Sequence, residues 1–205
     1  MQTRTGRGDE TVFLFDFDGT ITATELLPLI AREVGLEQEI GLLTRDTMDG
    51  RVPFDESFRS RVDLLRATPI RRVAEIVAEV PVHPRLLDWI VANRDRCWVV
   101  TGNLDCWVAD WMQRHGLQFF ASTASLEDGE VAGVASILHK ESVLGQFGGR
   151  RTVMVGDGAN DAQIMADADV GIGFATLHDL APVVLEVADW VVLNEEALCR
   201  TLSQL

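Results

Sequence analysis

Five short apolar segments divide the 205-residue chain, and each is bordered by a stretch with helical periodicity. The segments comprise residues 12–17, 97–100, 152–155, 170–174 and 190–193. A short, nearly continuous apolar run is typical of a strand that is buried on both faces in a parallel sheet. Because these strands alternate with helices, the sequence predicts an α/β fold with a doubly wound parallel sheet.

Two stretches interrupt this alternation. The residues between the first two predicted strands include five helical patterns, at 25–34, 37–48, 54–66, 70–80 and 85–93. A crossover between parallel strands needs only about a dozen residues. We therefore predict a small helical cap at residues 22–82, inserted after the first strand of a core domain made of residues 11–21 and 83–205. The second stretch, around residues 122–136, contains the pair Asp128-Gly129 and predicts a β-hairpin.

The charge and composition exclude several classes of protein. The chain has 18 Lys and Arg against 32 Asp and Glu, a formal net charge of −14, which opposes binding to nucleic acid and to anionic membranes. No apolar run approaches the roughly 18 residues of a spanning helix. Three cysteines without paired spacing predict reduced thiols, and the first ten residues do not resemble a signal peptide. We expect a soluble, cytoplasmic protein.

The sequence DFDGT at residues 16–20 ends the first predicted strand. Residues i and i+2 of an extended segment point to the same side, so Asp16 and Asp18 are expected to face one pocket. Carboxylates this close need a compensating charge, which a hard cation such as Mg²⁺ supplies. Two acids that merely cap a turn are the alternative for this motif when it stands alone.

A second acidic motif, GDGAND at residues 156–161, follows another buried strand. Asp157 is positioned as a metal ligand. Asp161 begins a helix, where an acid can serve only as a favourable N-terminal charge. The carboxyl ends of parallel strands meet at one edge of a sheet, so four acids at two strand ends predict a common site.

Two further segments could bind an anion. Thr101, Gly102 and Asn103 end a strand and precede a helix, so a hydroxyl group, backbone N–H groups and a helix N-terminus come together. Ordinary helix capping would look the same. Lys140 begins the next helical stretch, a position where lysines are usually solvated. These residues indicate a phosphate site only in combination with the acidic motifs.

In this order, the four segments resemble the motifs of the haloacid dehalogenase superfamily, and of its phosphatases in particular, over nearly the whole chain. The resemblance implies a magnesium-dependent phosphomonoester hydrolase with an aspartyl-phosphate intermediate. It implies that Asp16 is the nucleophile and that Asp18 is the general acid and then the general base. The implied metal ligands are Asp16, Asp18 and Asp157, supported by Asn160 and Asp161, and the implied phosphate ligands are Thr101, Gly102 and Lys140.

The predicted cap is similar to that of the phosphoserine phosphatases in spacing. Counted from Asp16, Glu25 lies nine residues on, Met48 thirty-two, Phe54 thirty-eight and Arg61 forty-five, as in that family. The resemblance implies that Glu25 binds the ammonium group of the substrate and Arg61 its carboxylate, while Phe54 and Met48 exclude water. Helix capping, surface ion pairing and core packing are the structural alternatives for these residues.

One position departs from the family pattern. The chain has TGN at residues 101–103, where phosphoserine phosphatases have Ser-Gly-Gly. Asn103 is therefore predicted to narrow the pocket or to bind a different group of the substrate. We expect a small-molecule phosphate ester as substrate, either phosphoserine or a similar amino-acid or hydroxy-acid phosphate. A methylthio-ketopentenyl phosphate of methionine salvage, transfer of phosphate to an acceptor alcohol, and a disfavoured non-catalytic binding role are the alternatives. The oligomeric state stays open.

Overall fold

A computed structural model describes residues 8–48, 51–177 and 179–205. The strands are β1 (Gly8–Phe15), β2 (Cys97–Leu104), β3 (Gln118–Glu127), β4 (Glu130–Ser136), β5 (Arg150–Gly156), β6 (Val170–Phe174) and β7 (Trp190–Val192). Within the described residues they form one sheet in the order β4-β3-β2-β1-β5-β6-β7. Neighbouring strands are parallel except β3 and β4, which are antiparallel.

The helices fall where their periodicity predicts them. They are α1 (Leu26–Val34), α2 (Glu37–Met48), α3 (Phe54–Leu65), α4 (Ile70–Ala78), α5 (Pro84–Ala92), α6 (Asp105–His115), α7 (Ala162–Asp167), α8 (Pro182–Val187) and α9 (Glu195–Leu202). The helices predicted between the first two strands begin within one residue of α1 to α5. Across the part of the chain that the structure describes, no helix combines the length and the apolar character needed to cross a bilayer.

Side chains of β1 alternate between two buried layers. Phe13 and Phe15 belong to a cluster that includes Trp89 of α5, and the ring centroids of Phe13 and Trp89 are 5.1 Å apart. Val12 and Leu14 belong to a second cluster, which contains side chains of α7 and α8. Successive strand residues point to opposite faces, so helices cover both faces of the sheet. The predicted doubly wound α/β sheet is confirmed.

Helices α1 to α4 lie in one insertion between β1 and α5. The chain leaves the sheet and returns to it at the same place, because Thr22 and Val82 form an antiparallel bridge. Beside this bridge, the Ala23 N–H donates to the Pro81 carbonyl at 2.8 Å. This pairing supports residues 22–82 as the cap, and the boundary itself stays a prediction.

The predicted hairpin is formed by β3 and β4 and also contacts the cap. Asp128 and Gly129, in its turn, have φ values of 51° and 83°, as a two-residue type I′ turn requires. Arg59 and Arg66 of α3 donate to backbone carbonyls of β4, at 2.9 Å and 3.1 Å. The hairpin therefore supports the cap from the side.

A matched pair of leucine substitutions tests the burial of β1. Leu14→Ala removes a side chain that is 0% exposed and should lower the free energy of unfolding by roughly 3 kcal/mol or more, because a cavity remains between the sheet and the helices. Leu193→Ala makes the same change at a side chain that is 68% exposed and should cost roughly 0.5 kcal/mol at most. Urea denaturation followed by circular dichroism measures both. Equal losses would contradict the described position of β1.

Candidate active site

The three central strands bring polar residues to one edge of the sheet. Strand β1 lies between β2 and β5, and all three are parallel. Asp16 follows β1, Thr101 lies in β2 and Asp157 follows β5. The Asp16 N–H donates to the Val155 carbonyl at 2.9 Å, which continues the sheet's hydrogen bonding to Asp16. Residues that are distant in sequence therefore share one site, at the carboxyl ends of the strands.

The ammonium group of Lys140 lies between two carboxylates. Its Nζ donates to Asp16 Oδ1 at 2.6 Å and to Asp161 Oδ1 at 2.7 Å. The three side chains are only 2%, 7% and 0% exposed. Burial acts to lower the pKa of Lys140, but Asp16 and Asp161 outweigh it and hold that pKa above its ordinary value. Lys140 is therefore a permanent cation inside the site.

Asp16, Asp157 and Asp161 form a group of buried carboxylates whose ligand oxygens lie within 4.8 Å of one another. Burial, together with the nearby Asp161 carboxylate, raises the pKa of Asp16 well above its usual range and that of Asp157 to about 7. Lys140 contributes one positive charge to this group of three carboxylates. Carboxylate oxygens with excess negative charge are the ligands that Mg²⁺ prefers, so the donor set fits the predicted cofactor.

The group differs in one member from the predicted metal ligands, because Asp161 is present where Asp18 was expected. The Asp18 carboxylate is engaged elsewhere: its Oδ1 accepts from the Leu26 N–H at 2.5 Å and its Oδ2 from the Asn103 amide. Asp161 is turned inward by Lys140 and by the Gly158 N–H, which donates to its Oδ2 at 3.0 Å. These contacts join distant segments, so the motif spacing alone could not reveal them.

The pKa of Asp18 reflects these contacts. Burial raises this pKa above its ordinary value, while the hydrogen bonds from Leu26 and Asn103 favour the ionised form and oppose part of the rise. The Asp18 carboxyl therefore holds a proton more readily than an exposed aspartic acid does.

Gly19 allows the loop after β1 to approach Asp157. Its φ is 68°, and a Cβ at this position would lie 2.5 Å from Asp157 Oδ2. The neighbouring Thr20 hydroxyl donates to Asp157 Oδ1 at 3.3 Å. Only glycine combines this backbone conformation with this close approach. The DFDGT motif thus also orients an acid from the second motif.

A cavity of about 100 Å³ lies between the cap helices and the carboxyl ends of the strands. Its lining combines acidic side chains, one arginine and two aromatic rings. The lining residues are Asp16, Asp18, Glu25, Leu27, Phe54, Phe58, Arg61, Gly102, Asn103, Asp157, Gly158 and Asn160. Most of the residues predicted for the site therefore meet in one cavity.

Two cap residues bring opposite charges to this cavity. Burial, with a contribution from Asp18, raises the pKa of Glu25 to about 8, and Arg61 opposes the rise. Arg61 is buried, which lowers its pKa, while Glu25 and Asp18 act against that change. Its Nε donates to the Ser57 carbonyl at 3.3 Å, within α3. The acid and the base predicted from the cap spacing therefore lie close enough to influence each other.

Phe54 and Phe58 form an aromatic wall of the cavity. Their ring centroids are 5.8 Å apart and their planes differ by 6°. Phe54 also reaches the core, because a Cβ at Gly102 would lie 3.2 Å from its Cζ. Sequence reasoning missed Phe58, although its position one helical turn after Phe54 was a usable signal. The side chain of Met48, predicted to lie beside them, falls outside the described residues.

The remaining predicted residues divide between the phosphate site and the cavity. Thr101 is buried, and its Oγ1 accepts from the N–H of Asn103 at 3.2 Å and from the Asn103 amide at 3.0 Å. Asn160, predicted to support the metal ligands, lines the cavity together with Gly102. Their roles stay predictions.

Comparisons with known proteins extend over both the sheet and the cap. The family model of haloacid dehalogenase-like hydrolases matches residues 13–166. The phosphoserine phosphatase of Methanocaldococcus jannaschii is 31% identical over 193 residues, which cover 87% of this chain and 90% of that protein. That of Archaeoglobus fulgidus is 25% identical over 206 residues, covering 91% of this chain but 58% of the relative. A solved substrate-bound phosphoserine phosphatase complex superposes with a TM-score of 0.80 at 27% identity, covering 95% of this chain and 99% of that one.

The carboxylate group predicts a pH-dependent response to Mg²⁺. Without metal, Asp157 ionises near its ordinary pKa of 3.8 when unfolded, whereas the folded carboxyl keeps its proton up to about pH 7. Between these values the folded state binds more protons, so the free energy of unfolding falls as the pH rises. Mg²⁺ binds the ionised carboxylates. It should therefore stabilise the protein more at about pH 8 than at about pH 5.

Thermal unfolding with and without MgCl₂, at constant ionic strength, measures this difference. At a concentration near 100 times the dissociation constant, Mg²⁺ should add about 2.7 kcal/mol. Asp157→Asn removes one ligand and the titrating group, so it should weaken both the Mg²⁺ response and its pH dependence. Equal shifts of the unfolding midpoint at the two pH values would contradict a metal site of ionised carboxylates.

Proposed function

The chain belongs to the haloacid dehalogenase-like hydrolase family and is a phosphatase, and on this basis we propose that it hydrolyses phosphoserine or a similar small amino-acid or hydroxy-acid phosphate. The observation that carries the proposal is the cavity itself. It places Asp16, next to the Lys140 cation, in the same space as the oppositely charged Glu25 and Arg61. A nucleophile for phosphate and a pair of charges for a zwitterion thus face one enclosed volume.

Asp16 is the nucleophile in this proposal. Its carboxylate attacks the phosphorus atom, the bond from phosphorus to the substrate oxygen breaks, and an aspartyl-phosphate forms. Water then attacks the phosphorus atom, the bond to Asp16 breaks, and inorganic phosphate leaves. One difficult displacement is thereby divided into two easier ones.

Asp18 moves the proton in both steps. In the first step its carboxyl group gives a proton to the departing alkoxide, which leaves as an alcohol. In the second step the resulting carboxylate takes a proton from the attacking water. The raised pKa of Asp18 supports the first role, because a buried carboxyl that retains its proton can donate it. Asp18 and Asp16 both line the cavity, as this exchange requires.

Positive charge must offset the charge of the phosphoryl group before a carboxylate can approach it. Lys140 supplies part of this charge through its contact with Asp16. The hydroxyl of Thr101 and the N–H of Gly102 are the further phosphate donors that we propose. Asp16, Asp157 and Asp161 would hold Mg²⁺, with Asp18 as the remaining predicted ligand, and the ion supplies charge neutralisation at the phosphate when bound.

The cap would select the alcohol part of the substrate. Glu25 attracts an ammonium group, Arg61 attracts a carboxylate, and the ring wall of Phe54 and Phe58 excludes water. A zwitterionic amino acid satisfies both charges at once. The names of the relatives support the same substrate, since those that match over most of this chain are phosphoserine phosphatases.

We also propose a cytoplasmic location. The cysteines Cys97, Cys106 and Cys199 are free thiols, which is usual in a reducing compartment. The net charge of −14 disfavours nucleic acid and anionic membranes as partners.

The nucleophile is tested by Asp16→Asn. This change should lower magnesium-dependent phosphate release from small phosphomonoesters by at least about 1,000-fold, because an amide cannot form the aspartyl-phosphate. Asp110→Asn, at an exposed position on α6, is the matched control and should retain full activity. Assays of alcohol and phosphate together distinguish hydrolysis from transfer, since transfer to an added acceptor alcohol would leave less phosphate than alcohol. Equal activity of the Asp16 variant and the unmodified chain would refute the mechanism.

Substrate recognition is tested with three phosphate esters that differ in charge. Arg61→Met should lower kcat/KM at least about 10-fold for phosphoserine and phosphoglycolate, which carry a carboxylate, but much less for phosphoethanolamine. Glu25→Gln should lower it for phosphoserine and phosphoethanolamine, which carry an ammonium group, but not for phosphoglycolate. Arg71→Met, at an exposed arginine, serves as the control. A uniform loss on all three esters would show that neither residue recognises these groups.

A further inference from the structure

We infer that Asn103 is a positioning residue for the proposed reaction, and that its side-chain amide holds Asp18 and Thr101 in working orientation. This inference rests on the function proposed above, in which Asp18 transfers protons and Thr101 binds phosphate. Asn103 was predicted from the sequence as a substrate contact. Its hydrogen bonds in the structure indicate a different main role.

Both hydrogens of the Asn103 amide are used within the site. Nδ2 donates to Asp18 Oδ2 and also to Thr101 Oγ1, the latter at 3.0 Å. The side chain is 3% exposed, so bulk water does not compete for these hydrogens. The opposite amide orientation would place Asn103 Oδ1 against the Asp18 carboxylate, and two acceptors cannot bond to each other. Asn103 thus connects the loop after β1 to strand β2.

The contact with Thr101 determines what its hydroxyl group can do. Thr101 Oγ1 accepts two hydrogen bonds from Asn103, one from the backbone N–H at 3.2 Å and one from Nδ2 at 3.0 Å. A hydroxyl oxygen has two lone pairs and one hydrogen. With both lone pairs occupied, Thr101 is left with its hydrogen to donate. A phosphoryl oxygen can only accept, so this orientation prepares Thr101 to bind phosphate.

The contact with Asp18 fixes the plane of its carboxylate. Oδ2 accepts from Asn103 on the core side, and Oδ1 accepts from the Leu26 N–H at 2.5 Å, at the first residue of α1. One hydrogen bond on each oxygen prevents rotation of the group. In the proposed reaction the same carboxyl serves both the leaving alkoxide and the incoming water, so its orientation matters in both steps.

A glycine at position 103 could make neither side-chain contact. The Ser-Gly-Gly pattern of phosphoserine phosphatases has glycine there, whereas this chain has Asn103. The amide bridge is therefore an addition to that pattern. If Asn103 were only a tolerated substitution, Asn103→Gly would restore the family pattern at no cost. If it positions the two residues, the same change lowers turnover.

The test compares kcat and KM for Asn103→Ala, Asn103→Gly and Asn103→Asp on phosphoserine, phosphoglycolate and phosphoethanolamine. We expect kcat to fall about 10- to 100-fold for each variant, because misplaced groups slow chemistry more than they weaken binding. For the alanine and glycine variants, KM should stay within about threefold and the loss should be equal on all three esters. Asn103→Asp keeps the shape but loses the donors, so its kcat should be no higher than that of Asn103→Ala.

Three results would overturn the inference. A kcat within about twofold of the unmodified chain would show that the amide bridge has no effect on the reaction. A change confined to the KM of one ester would make Asn103 a substrate contact. Recovery of full kcat by Asn103→Asp would show that only side-chain volume matters.

Controls separate this inference from misfolding and from failure of the proposed function. Asn93→Asp alters an asparagine at the end of α5, where Nδ2 donates to the Trp89 carbonyl, and it should keep full kcat. Thermal unfolding of each Asn103 variant checks the fold, and the shape-preserving Asn103→Asp covers the case in which the smaller residues destabilise it. If the unmodified chain releases no phosphate from any ester, the proposed function fails. If it is active and the Asn103 variants equal it, only the present inference fails.

Discussion

The ion pairs of Lys140 with Asp16 and Asp161 are the interaction on which the site depends. Three carboxylates are buried within 4.8 Å of one another, an arrangement that costs free energy unless cations compensate. Lys140 supplies one such charge from within the protein, and the rest must come from a bound cation or from protons. The same contacts join three distant segments of the chain. The order β2-β1-β5 at the centre of the sheet is what brings these segments together.

The site is divided between the core and the cap in a way that separates its two tasks. Core residues surround the phosphate position, and cap residues surround the position of the alcohol part. Two contacts close the boundary between them: the Leu26 N–H of α1 donates to Asp18, and the Phe54 ring of α3 packs over Gly102. Because the acid Asp18 is held by the first residue of a cap helix, the position of the cap and the readiness for proton transfer are physically linked.

Local sequence predicted the secondary structure well, for a clear physical reason. Short apolar runs can be buried on both faces only as central strands, and the cap helices carry their own periodicity, so α1 to α5 begin within one residue of their predicted starts. The hairpin at Asp128-Gly129 follows from the positive φ angles of its turn. Side-chain partners across the site were less predictable. Asp161 joined the carboxylate group and Phe58 the cavity wall, because each depends on contacts between segments that no local pattern records.

The sequence by itself determined the α/β class, the inserted helices, and the set of acids, hydroxyl and lysine that phosphate chemistry requires. Spacing within a motif is a covalent property, so it survives without a structure. Only the tertiary structure decided which way each polar group turns. Asp18 bonds to Leu26 and Asn103, Asp161 bonds to Lys140, and Asn103 bridges two residues of the site rather than standing alone in the cavity. Those choices follow from the pairing of donors and acceptors in a buried space, where each polar group needs a partner that only the folded chain can supply.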